Sequence, residues 1–491
     1  MRQVAIVDSG VANLASVRSA LAALGTDGVV TREPDIVLEA SHVVLPGVGR
    51  FEAGIKSLRD HALDRAVLDI HKAGTPLLAI CLGMQMLGEG SDESPGIPGL
   101  GIFPGRFVRL PSSVRVPHLG WNRVEADASS ILPTGMAAFA NSYCLTEAPE
   151  GWRAAWTTHG LRFVSALTMG RTLACQFHPE LSGNFGMELL RAWLSGEPLG
   201  RDAQVPGRRA TGGAPEPPGD VSASAAPREP PASGAAQPTL NEVARRIVPC
   251  LDVKDGRVVK GVRFQNLRDS GDPAEQASLY EQQGADEIVV LDVAASPEAQ
   301  GTQLDTVRSV RECLHIPLTV GGGVRTVDDA RKLLSAGADK VSVNTAAVRD
   351  PSLIERLAQA FGSQCIVLAI DARREGDSWN TLVMGGREAT GMDAIEWARE
   401  GGRLGAGEIL LTSWDRDGTR SGCDLKLLRT MHDAVPVPVI ASGGIGTRSD
   451  VAAAFHSGAD AVLAASVFHD GDLTVGSIKE FLSTEGMVVR R

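Results

Sequence analysis

The sequence of 491 residues predicts an α/β protein with two folded units joined by a disordered linker. In the first unit, short apolar runs such as Val4–Val7 and Leu77–Ile80 alternate with helix-like segments, which indicates a mostly parallel sheet. Residues 197–243 are rich in Pro, Ala, Gly and Ser and bury too little apolar surface to offset the entropy of ordering. We therefore expect one domain at 1–196 and a second at 244–491.

The bulk composition narrows the class of protein. Hydrophobic residues make up 43% and charged residues 22%, as in folded globular chains, and the net charge of -11 opposes non-specific attraction to nucleic acid or anionic membranes. The longest weakly charged apolar run, Ala73–Gly88, is shorter than the roughly 20 residues that span a bilayer. The cysteines are scattered without a CxxC pair, which fits a reducing compartment. We expect a cytoplasmic protein with no metal, no cofactor and no nucleic-acid or membrane partner.

The second unit contains an internal repeat. Residues 284–290 return at 405–411, and residues 322–324 return at 443–445, in each case 121 residues later. Each half supplies four strands, near 247–251, 287–291, 317–320 and 340–343, then near 366–370, 408–411, 437–441 and 461–464. Eight strands separated by helix-length segments predict a closed (β/α)8 barrel, or TIM barrel, built of two similar halves. An open doubly wound sheet is the alternative, and the half-and-half repeat favours closure.

A candidate nucleophile lies in the first unit, where the strand Leu77–Ile80 runs into Cys81 at the start of a predicted helix. Unpaired backbone N–H groups and the helix dipole stabilise a thiolate at such a position. Far along the chain, His178 and Glu180 follow another predicted strand. With Cys81 they would supply the nucleophile, the base and the orienting group that acyl transfer requires. The alternative for a single cysteine is a buried structural thiol.

The segments 81–85 (Cys-Leu-Gly-Met-Gln) and 177–180 (Phe-His-Pro-Glu) together resemble the class I glutamine amidotransferases. The resemblance covers about 1–196 and implies that glutamine is hydrolysed through a γ-glutamyl thioester. It makes Cys81 the nucleophile, His178 the general acid and base, and Glu180 the group that orients His178.

The segment Leu45-Pro-Gly-Val-Gly is similar to the oxyanion strand of the same family. Glycines let backbone N–H groups turn toward a developing oxyanion, so the resemblance assigns this role to Gly47, Val48 and Gly49, with an ordinary loop as the alternative. The chain departs from the family pattern at three positions: Ala79, Asn141 and Leu181.

The barrel carries a candidate acid pair at the carboxyl ends of its strands, the face where barrels of this kind hold their sites. Asp252 and Asp371 end the first and fifth strands, so they should face each other across the mouth and divide acid and base work. The alternative is that both only cap loops or bind Lys254 or Arg373.

Two phosphate cradles are also duplicated in the repeat, since glycine loops and helix starts bind phosphate through backbone N–H groups. The first cradle is Gly321–Gly323 with Asn344 and Thr345, and the second cradle is Ser442–Gly444 with Ser466. Two cradles on opposite sides predict a substrate with a phosphate at each end. A polar loop from Asp415 to Gly418 follows the sixth strand at the same mouth.

The second unit resembles the cyclase of the imidazole glycerol phosphate synthases over nearly all of 244–491. The segments that carry the resemblance are 246–261, 320–323, 338–344, 362–367 and 411–419. The resemblance implies a histidine-pathway amidotransferase and lyase with glutaminase activity. Its substrates would be glutamine and a bis-phosphorylated formimino-aminoimidazole ribonucleotide, and its products imidazole glycerol phosphate and an aminoimidazole carboxamide ribonucleotide. It implies substrate binding by Lys260, Gly323, Asn344, Thr345, Asp417, Gly418, Gly444 and Ser466.

Four charged residues lie at the amino ends of the barrel strands, on the face opposite the acid pair: Arg246, Glu287, Lys340 and Glu408. Charge pattern alone favours a salt-bridge layer that closes the barrel, whereas the resemblance implies a gate through which ammonia enters. The two roles are compatible. We expect the two domains to pair within one chain as a monomer, although exchange of domains between chains stays open.

Two rival functions remain at this point. A sugar-phosphate isomerase barrel would share the half repeat and the acid pair, but it would have no use for a fused glutaminase. The first unit could instead be a non-catalytic binding module, which the intact Cys81, His178 and Glu180 disfavour.

Overall fold

A computed structural model describes residues 3–10, 13–126, 132–196, 243–262, 265–293 and 304–491. The side chains from 260 to 268 are not described either, so the predicted role of Lys260 lies outside the described residues. The predicted linker at 197–243 also lies outside them, except for Val243. No helix in the described ranges is long and apolar enough to cross a membrane.

The first unit is an α/β structure. Its described strands are β1 (Val4–Val7), β2 (Gly28–Thr31), β3 (His42–Leu45), β4 (Leu77–Ile80), β5 (Gly90–Ser91), β6 (Arg106–Arg109), β7 (His118–Ala126), β8 (Gly135–Asn141), β9 (Tyr143–Cys144), β10 (Arg153–His159), β11 (Leu161–Met169) and β12 (Thr172–Cys175). Its described helices are α1 (Leu14–Ala23), α2 (Pro34–Glu39), α3 (Phe51–Asp60), α4 (Leu63–Ala73), α5 (Leu82–Leu87) and α6 (Gly183–Ser195).

Nine of these described strands form one sheet in the order β2-β1-β3-β4-β12-β11-β10-β7-β8. Pairing is parallel from β2 to β12 and antiparallel beyond β12. Every residue of β1, β3, β4 and β12 is buried, as expected for parallel strands with helices on both faces. Alternate side chains feed two cores: Ala5 and Val43 on one face, Ile6 and Val44 on the other.

The second unit is a closed barrel. Its described strands are β13 (Arg246–Lys254), β14 (Arg257–Val262), β15 (Gln265–Gly271), β16 (Ile288–Asp292), β17 (Leu318–Gly321), β18 (Lys340–Val343), β19 (Ile366–Glu375), β20 (Ser378–Val383), β21 (Glu388–Asp393), β22 (Glu408–Ser413), β23 (Val439–Ser442) and β24 (Ala461–Ala464). Its described helices are α7 (Pro273–Gln282), α8 (Leu304–Glu312), α9 (Val327–Ala336), α10 (Thr345–Arg349), α11 (Ser352–Phe361), α12 (Ala394–Leu404), α13 (Leu425–Ala434), α14 (Arg448–His456), α15 (Ser466–His469) and α16 (Val475–Thr484).

The barrel strands follow one another in the order β13-β16-β17-β18-β19-β22-β23-β24. The last strand pairs in parallel with the first, from Arg246 opposite Ala461 to Pro249 opposite Ala464, and this pairing closes the sheet. The predicted fold class is therefore confirmed, and the open-sheet alternative is wrong. The eight predicted strands begin within two residues of the observed ones.

Two antiparallel hairpins were not predicted. The strands β14 and β15 follow β13, and β20 and β21 follow β19, so each hairpin extends the strand that carries one of the two predicted acids. They sit at equivalent places in the two halves of the repeat and project from the carboxyl face of the barrel.

The two units contact each other through backbone as well as side-chain hydrogen bonds. Val116 N–H donates to Pro436 O at 3.2 Å, and Gly183 N–H donates to His315 O at 3.0 Å. The indole N–H of Trp121 donates to the carbonyl of Asp286 at 2.9 Å. Since Asp286 and its neighbours lie at the amino ends of the strands, the first unit covers the face of the barrel opposite the acid pair.

Candidate active sites and the space between them

Cys81 occupies a sharp turn between β4 and α5. Its φ of 52° and ψ of -107° are unfavourable for a residue with a Cβ and cost about 1–3 kcal/mol, strain that tight packing must hold in place. Gly83 permits this packing, because a Cβ there would lie 2.0 Å from the carbonyl oxygen of Leu45. The turn therefore holds the thiol at the start of α5, as the sequence predicted.

The structure brings the two distant residues of the predicted triad to this thiol. His178 Nδ1 lies 2.8 Å from Glu180 Oε1, and both side chains are buried. Burial lowers the pKa of His178, but the Glu180 carboxylate and the Cys81 sulfur outweigh it and raise the pKa well above its usual value. The amide of Gln176 also donates to Cys81 Sγ at 3.5 Å. This arrangement favours an imidazolium beside the sulfur, the state that supports a thiolate nucleophile.

A cavity of about 310 Å³ opens in front of Cys81, between the two units. Sequence reasoning missed several polar side chains that line it: Gln85, Glu93, Arg109 and Tyr143. Burial raises the pKa of Glu93, although a 2.7 Å hydrogen bond from Phe51 N–H and the charge of Arg50 act in the other direction. Of these residues only Gln85 belongs to a recognised motif; the others follow no local pattern that could have revealed them.

The predicted oxyanion strand reaches the same cavity, which Val48 and Gly49 line. Its peptide orientation differs from the expected one. The carbonyl of Gly47 accepts a hydrogen bond from Leu82 N–H at 3.2 Å, and Leu82 is the residue directly after the nucleophile. An oxyanion would need that N–H group, so the structure shows the donor occupied by a backbone carbonyl.

The mouth of the barrel holds a second cavity, of about 470 Å³. Both predicted acids line it, together with seven of the eight predicted substrate-binding residues: Gly323, Asn344, Thr345, Asp417, Gly418, Gly444 and Ser466. Asp415, from the predicted polar loop, instead accepts a 2.7 Å hydrogen bond from the backbone N–H of Arg374. The two acids and these seven residues therefore share one cavity, while Lys260 lies outside the described side chains.

Among the described residues, each acid in the mouth has one hydrogen-bond donor. The Cys250 thiol lies 3.6 Å from Asp252 Oδ1, and the Asn344 amide donates to Asp371 Oδ2 at 3.0 Å. Burial and the nearby carboxylate of Asp417 raise the pKa of both Asp252 and Asp371 to about 7, against the smaller opposing effect of the two donors. Within the described residues, neither acid pairs with Lys254 or Arg373, which was the alternative reading.

The four predicted charges at the amino ends of the strands form a closed ring, here called the floor ring: Arg246, Glu287, Lys340 and Glu408. Arg246 Nη1 lies 2.9 Å from Glu287, and its other terminal nitrogen pairs with Glu408. Lys340 Nζ lies 2.6 Å from each carboxylate. All four side chains are buried, so the ring seals this end of the barrel with two positive and two negative charges.

A smaller cavity of about 50 Å³ lies between the triad and the floor ring. His178 and Glu180 line it on one side, and Arg246, Glu287 and Lys340 line it on the other. Two of the departures from the family pattern are near: Leu181 lines this cavity, and Asn141 lines the cavity in front of Cys81 and donates to Tyr143 O at 3.0 Å. Ala79 is buried within β4.

No group of three or more His, Cys, Asp or Glu side chains in the described ranges is arranged to hold a metal ion. One cavity presents a thiol near an imidazole, and the other presents two carboxyls between glycine loops.

Comparison with known proteins agrees with this division. Residues 5–195 match the family described as glutamine amidotransferase class-I, and residues 246–474 match the family described as histidine biosynthesis protein. The imidazole glycerol phosphate synthase subunit HisF of Nocardia farcinica is 56% identical over 255 residues, which are 50% of this chain and 99% of that protein. The HisF subunit of Exiguobacterium sibiricum is 53% identical over 246 residues, again 50% of this chain and 99% of the relative.

The two matches occupy separate halves of one chain, as do the two sites. A glutamine amidotransferase unit and a HisF-like barrel in a single polypeptide explain both the Cys-His-Glu site and the acid pair. The chain therefore belongs to the imidazole glycerol phosphate synthase family, as a fused form that carries a class-I glutamine amidotransferase unit and a HisF-like barrel.

Proposed function

We propose that the chain hydrolyses glutamine in its first unit and uses the released ammonia in its barrel to close an imidazole ring in histidine biosynthesis. The ring-closing substrate would be the phosphoribulosyl-formimino-aminoimidazole carboxamide ribonucleotide, and the products imidazole glycerol phosphate and aminoimidazole carboxamide ribonucleotide. The observation that carries the proposal is the small cavity that touches both His178 and the floor ring. It lies where ammonia leaving the triad would enter the barrel.

In the first unit, the Cys81 sulfur attacks the side-chain carboxamide carbon of glutamine. His178 gives a proton to the departing nitrogen, so ammonia leaves and a γ-glutamyl thioester remains on Cys81. Water, deprotonated by His178, then attacks the thioester and releases glutamate. Glu180 holds the imidazole in position and stabilises its charged form, which the raised pKa of His178 supports.

The polar side chains of the first cavity suit the backbone charges of glutamine. The carboxyl of Glu93 would bind the α-ammonium group, and the guanidinium of Arg109 would bind the α-carboxylate. Glu93 and Arg109 both affect the pKa of Tyr143. Burial and the charge of Glu93 raise this pKa, while Arg109 lowers it. These two opposite charges would fix the orientation of glutamine and direct its carboxamide toward Cys81.

Ammonia then passes the floor ring and crosses the barrel interior. Alternate residues of β13 point inward, in the order Arg246, Val248, Cys250 and Asp252. Val248 and Cys250 belong to a buried apolar layer with Val289, Val367, Leu410, Ile440, Ala461 and Leu463. An apolar layer passes neutral ammonia more readily than ammonium, because a charged group loses its hydration there. The acid pair lies at the far end of this path.

In the mouth, the two phosphates of the ribonucleotide would occupy the two cradles, which places its reacting centre between Asp252 and Asp371. Because both pKa values are raised to about 7, one carboxyl can stay protonated while the other is ionised near neutral pH. That division supplies an acid and a base for the proton transfers that addition of ammonia and ring closure require.

The fusion of the two units in one polypeptide supports pairing within one chain. We infer that the active form is a monomer with both sites complete, located in the cytoplasm. Domain exchange between chains would preserve the same contacts.

The direct test uses Cys81→Ser. We expect glutamine-dependent ring closure and glutamate release to fall by at least about a thousandfold, since the covalent route is removed. Ring closure with added ammonium salt should persist, because the barrel is unchanged. Cys144→Ser is the matched control: burial raises the pKa of Cys144 to about 12, so it is an inert thiol and its variant should keep both activities. Full glutamine-dependent turnover in Cys81→Ser would contradict the proposal.

The occupied Leu82 N–H group predicts coupling between the sites. Without a barrel ligand, glutamate release should be slow, because the carbonyl of Gly47 fills the oxyanion position. Rotation of the peptide between Gly47 and Val48 would replace that carbonyl with an N–H group, worth about a hundredfold or more in rate. Glutamate release measured with and without the ribonucleotide should show this increase. Equal rates would mean that the occupied donor does not limit hydrolysis.

Removing one charge from the floor ring should damage both stability and ammonia transfer. Glu408→Gln leaves Arg246 and Lys340 with one carboxylate between them, which we expect to lower the free energy of unfolding by about 3 kcal/mol. Product formed per glutamate released should fall below one to one, while ammonium-dependent closure continues. Glu396→Gln, which breaks an exposed pair with Arg399, is the control and should change stability by less than about 0.5 kcal/mol. An unchanged product ratio would contradict the gate role.

The acid pair makes a prediction that does not depend on activity. Because the pKa of Asp252 is raised, the folded state keeps a proton that the unfolded state loses between about pH 4 and about pH 7, so stability falls as pH rises through that window. Asp252→Asn removes this cost. At pH 8 we expect the variant to be more stable than wild type by about 1–2 kcal/mol, with no difference near pH 4, while ring closure is lost.

Urea unfolding at pH 4 and pH 8 measures the difference. Asp377→Asn changes a fully exposed carboxyl and should show no such pH-dependent gain. If Asp252→Asn were equally destabilised at both pH values, the folded state would stabilise the ionised carboxylate of Asp252 and not its protonated form.

A further inference from the structure

The two phosphate cradles differ in charge although the repeat relates them. At the same 121-residue shift, Thr345 of the first cradle corresponds to Ser466 of the second, and Arg349 corresponds to Asp470. Arg349 ends α10, directly beyond the first cradle, while Asp470 follows α15 beyond the second. The chain therefore has a cation where its repeat mate has an anion.

The cation near the second cradle is already neutralised. Arg420 lines the mouth cavity and pairs with Asp470, and its Nη1 lies 2.7 Å from Asp472. Two carboxylates thus face one guanidinium at this side. A phosphate bound in the second cradle would meet backbone N–H groups, with little net positive charge from Arg420.

Arg325, Arg349 and Arg387 line the mouth cavity near the first cradle, and Arg349 and Arg387 approach it from α10 and from the turn between β20 and β21. Across the described residues neither forms an ion pair with a carboxylate. The polar contact of the Arg349 side chain is with a thioether, since its Nη2 lies 3.5 Å from Met384 Sδ. The guanidinium groups of Arg349 and Arg387 therefore border the cavity on this side, with N–H donors available for a ligand.

Arg387 is brought to the rim by the turn between β20 and β21. The backbone N–H of Met384 donates to the hydroxyl of Thr345 at 3.0 Å, which ties this turn to the first cradle. Trp414 packs against the other side of the turn, and a Cβ on Gly386 would lie 2.1 Å from its indole. Gly386 also has a φ of +78°, so a side chain would be strained there. The turn is held between the cradle and the indole.

We propose that Arg349 and Arg387 form a cationic clamp on the phosphate that occupies the first cradle, and that Trp414 positions the turn that carries Arg387. The proposal rests on the proposed function, because it assigns the clamp to one end of the bis-phosphorylated ribonucleotide. The substrate would then enter the mouth in one direction, with its two phosphates distinguished by charge, since arginine forks bind phosphate through paired charge-assisted hydrogen bonds. Arg349 and Arg387 would act on binding and orientation, and the acid pair on the chemistry.

The test measures ammonium-dependent ring closure, which needs neither Cys81 nor glutamine. We expect Arg349→Ala and Arg387→Ala each to raise KM for the ribonucleotide about tenfold, with kcat changed less than about threefold. Arg349→Lys should recover part of the loss. Arg349→Asp, which copies the charge of the repeat mate, should raise KM further. Arg399→Ala removes an exposed arginine from an ion pair on α12 and should leave KM unchanged.

A second measurement separates the clamp from the reaction. Inorganic phosphate binding to wild type, followed by calorimetry, should weaken several-fold in Arg349→Ala and Arg387→Ala but not in Arg399→Ala. Gly386→Ala should reproduce the effect of Arg387→Ala, because the added methyl group must displace the turn from Trp414. Unchanged KM and unchanged phosphate affinity in both arginine variants would overturn the clamp. If wild type binds phosphate but never closes a ring with ammonia, the proposed function fails and the phosphate data alone decide the clamp.

Discussion

The floor ring is the contact on which both sites depend, because it fixes the end of the barrel that faces the first unit. Its members come from four different strand starts, and Thr319 on a fifth strand donates to Glu287 at 2.5 Å. Asp286, the residue before Glu287, points the other way: it accepts from Lys479 and Arg490 and presents its carbonyl to Trp121. One dipeptide thus joins the interior of the barrel to the surface on which the first unit docks.

Buried charges are costly unless they are paired, so such a ring gives the barrel floor little freedom to shift by small amounts. The two carboxylates and the two cations are all buried, which separates the proposed path from bulk water. A site for a reactive, neutral intermediate benefits from this closure, since ammonia that meets bulk water is protonated and lost. A ring of this kind is compatible with stability and with the proposed transfer, which is why charge pattern alone could not choose between those roles.

The parts of the structure that sequence predicted are those marked by local pattern or by the repeat. Cys81 was recognisable from a strand, a turn and a helix within ten residues, and Asp252 and Asp371 from two similar strands. Glu93 and Arg109 were missed because no local pattern marks them: Glu93 lies in a turn and Arg109 ends β6, and only the fold brings both to the cavity in front of Cys81. The hairpins were missed because each one follows directly on a barrel strand, and a barrel strand that continues into a hairpin has no separate apolar period.

The repeat explains the frame of the barrel, but the chemistry lies where the two halves differ. Asp252 takes a hydrogen bond from Cys250, two residues back on its own strand, whereas Asp371 takes one from Asn344, which directly follows the neighbouring strand β18. Two carboxyls with the same burial and the same charged neighbour are thereby given different donors, a thiol and an amide, of unequal strength. A symmetric mouth would bind an unsymmetric substrate in two directions, and only one of them would bring the reacting carbon to the acid. The unequal donors and the unequal charges of the two cradles favour one of these two binding orientations. A duplicated barrel can therefore act on an unsymmetric substrate.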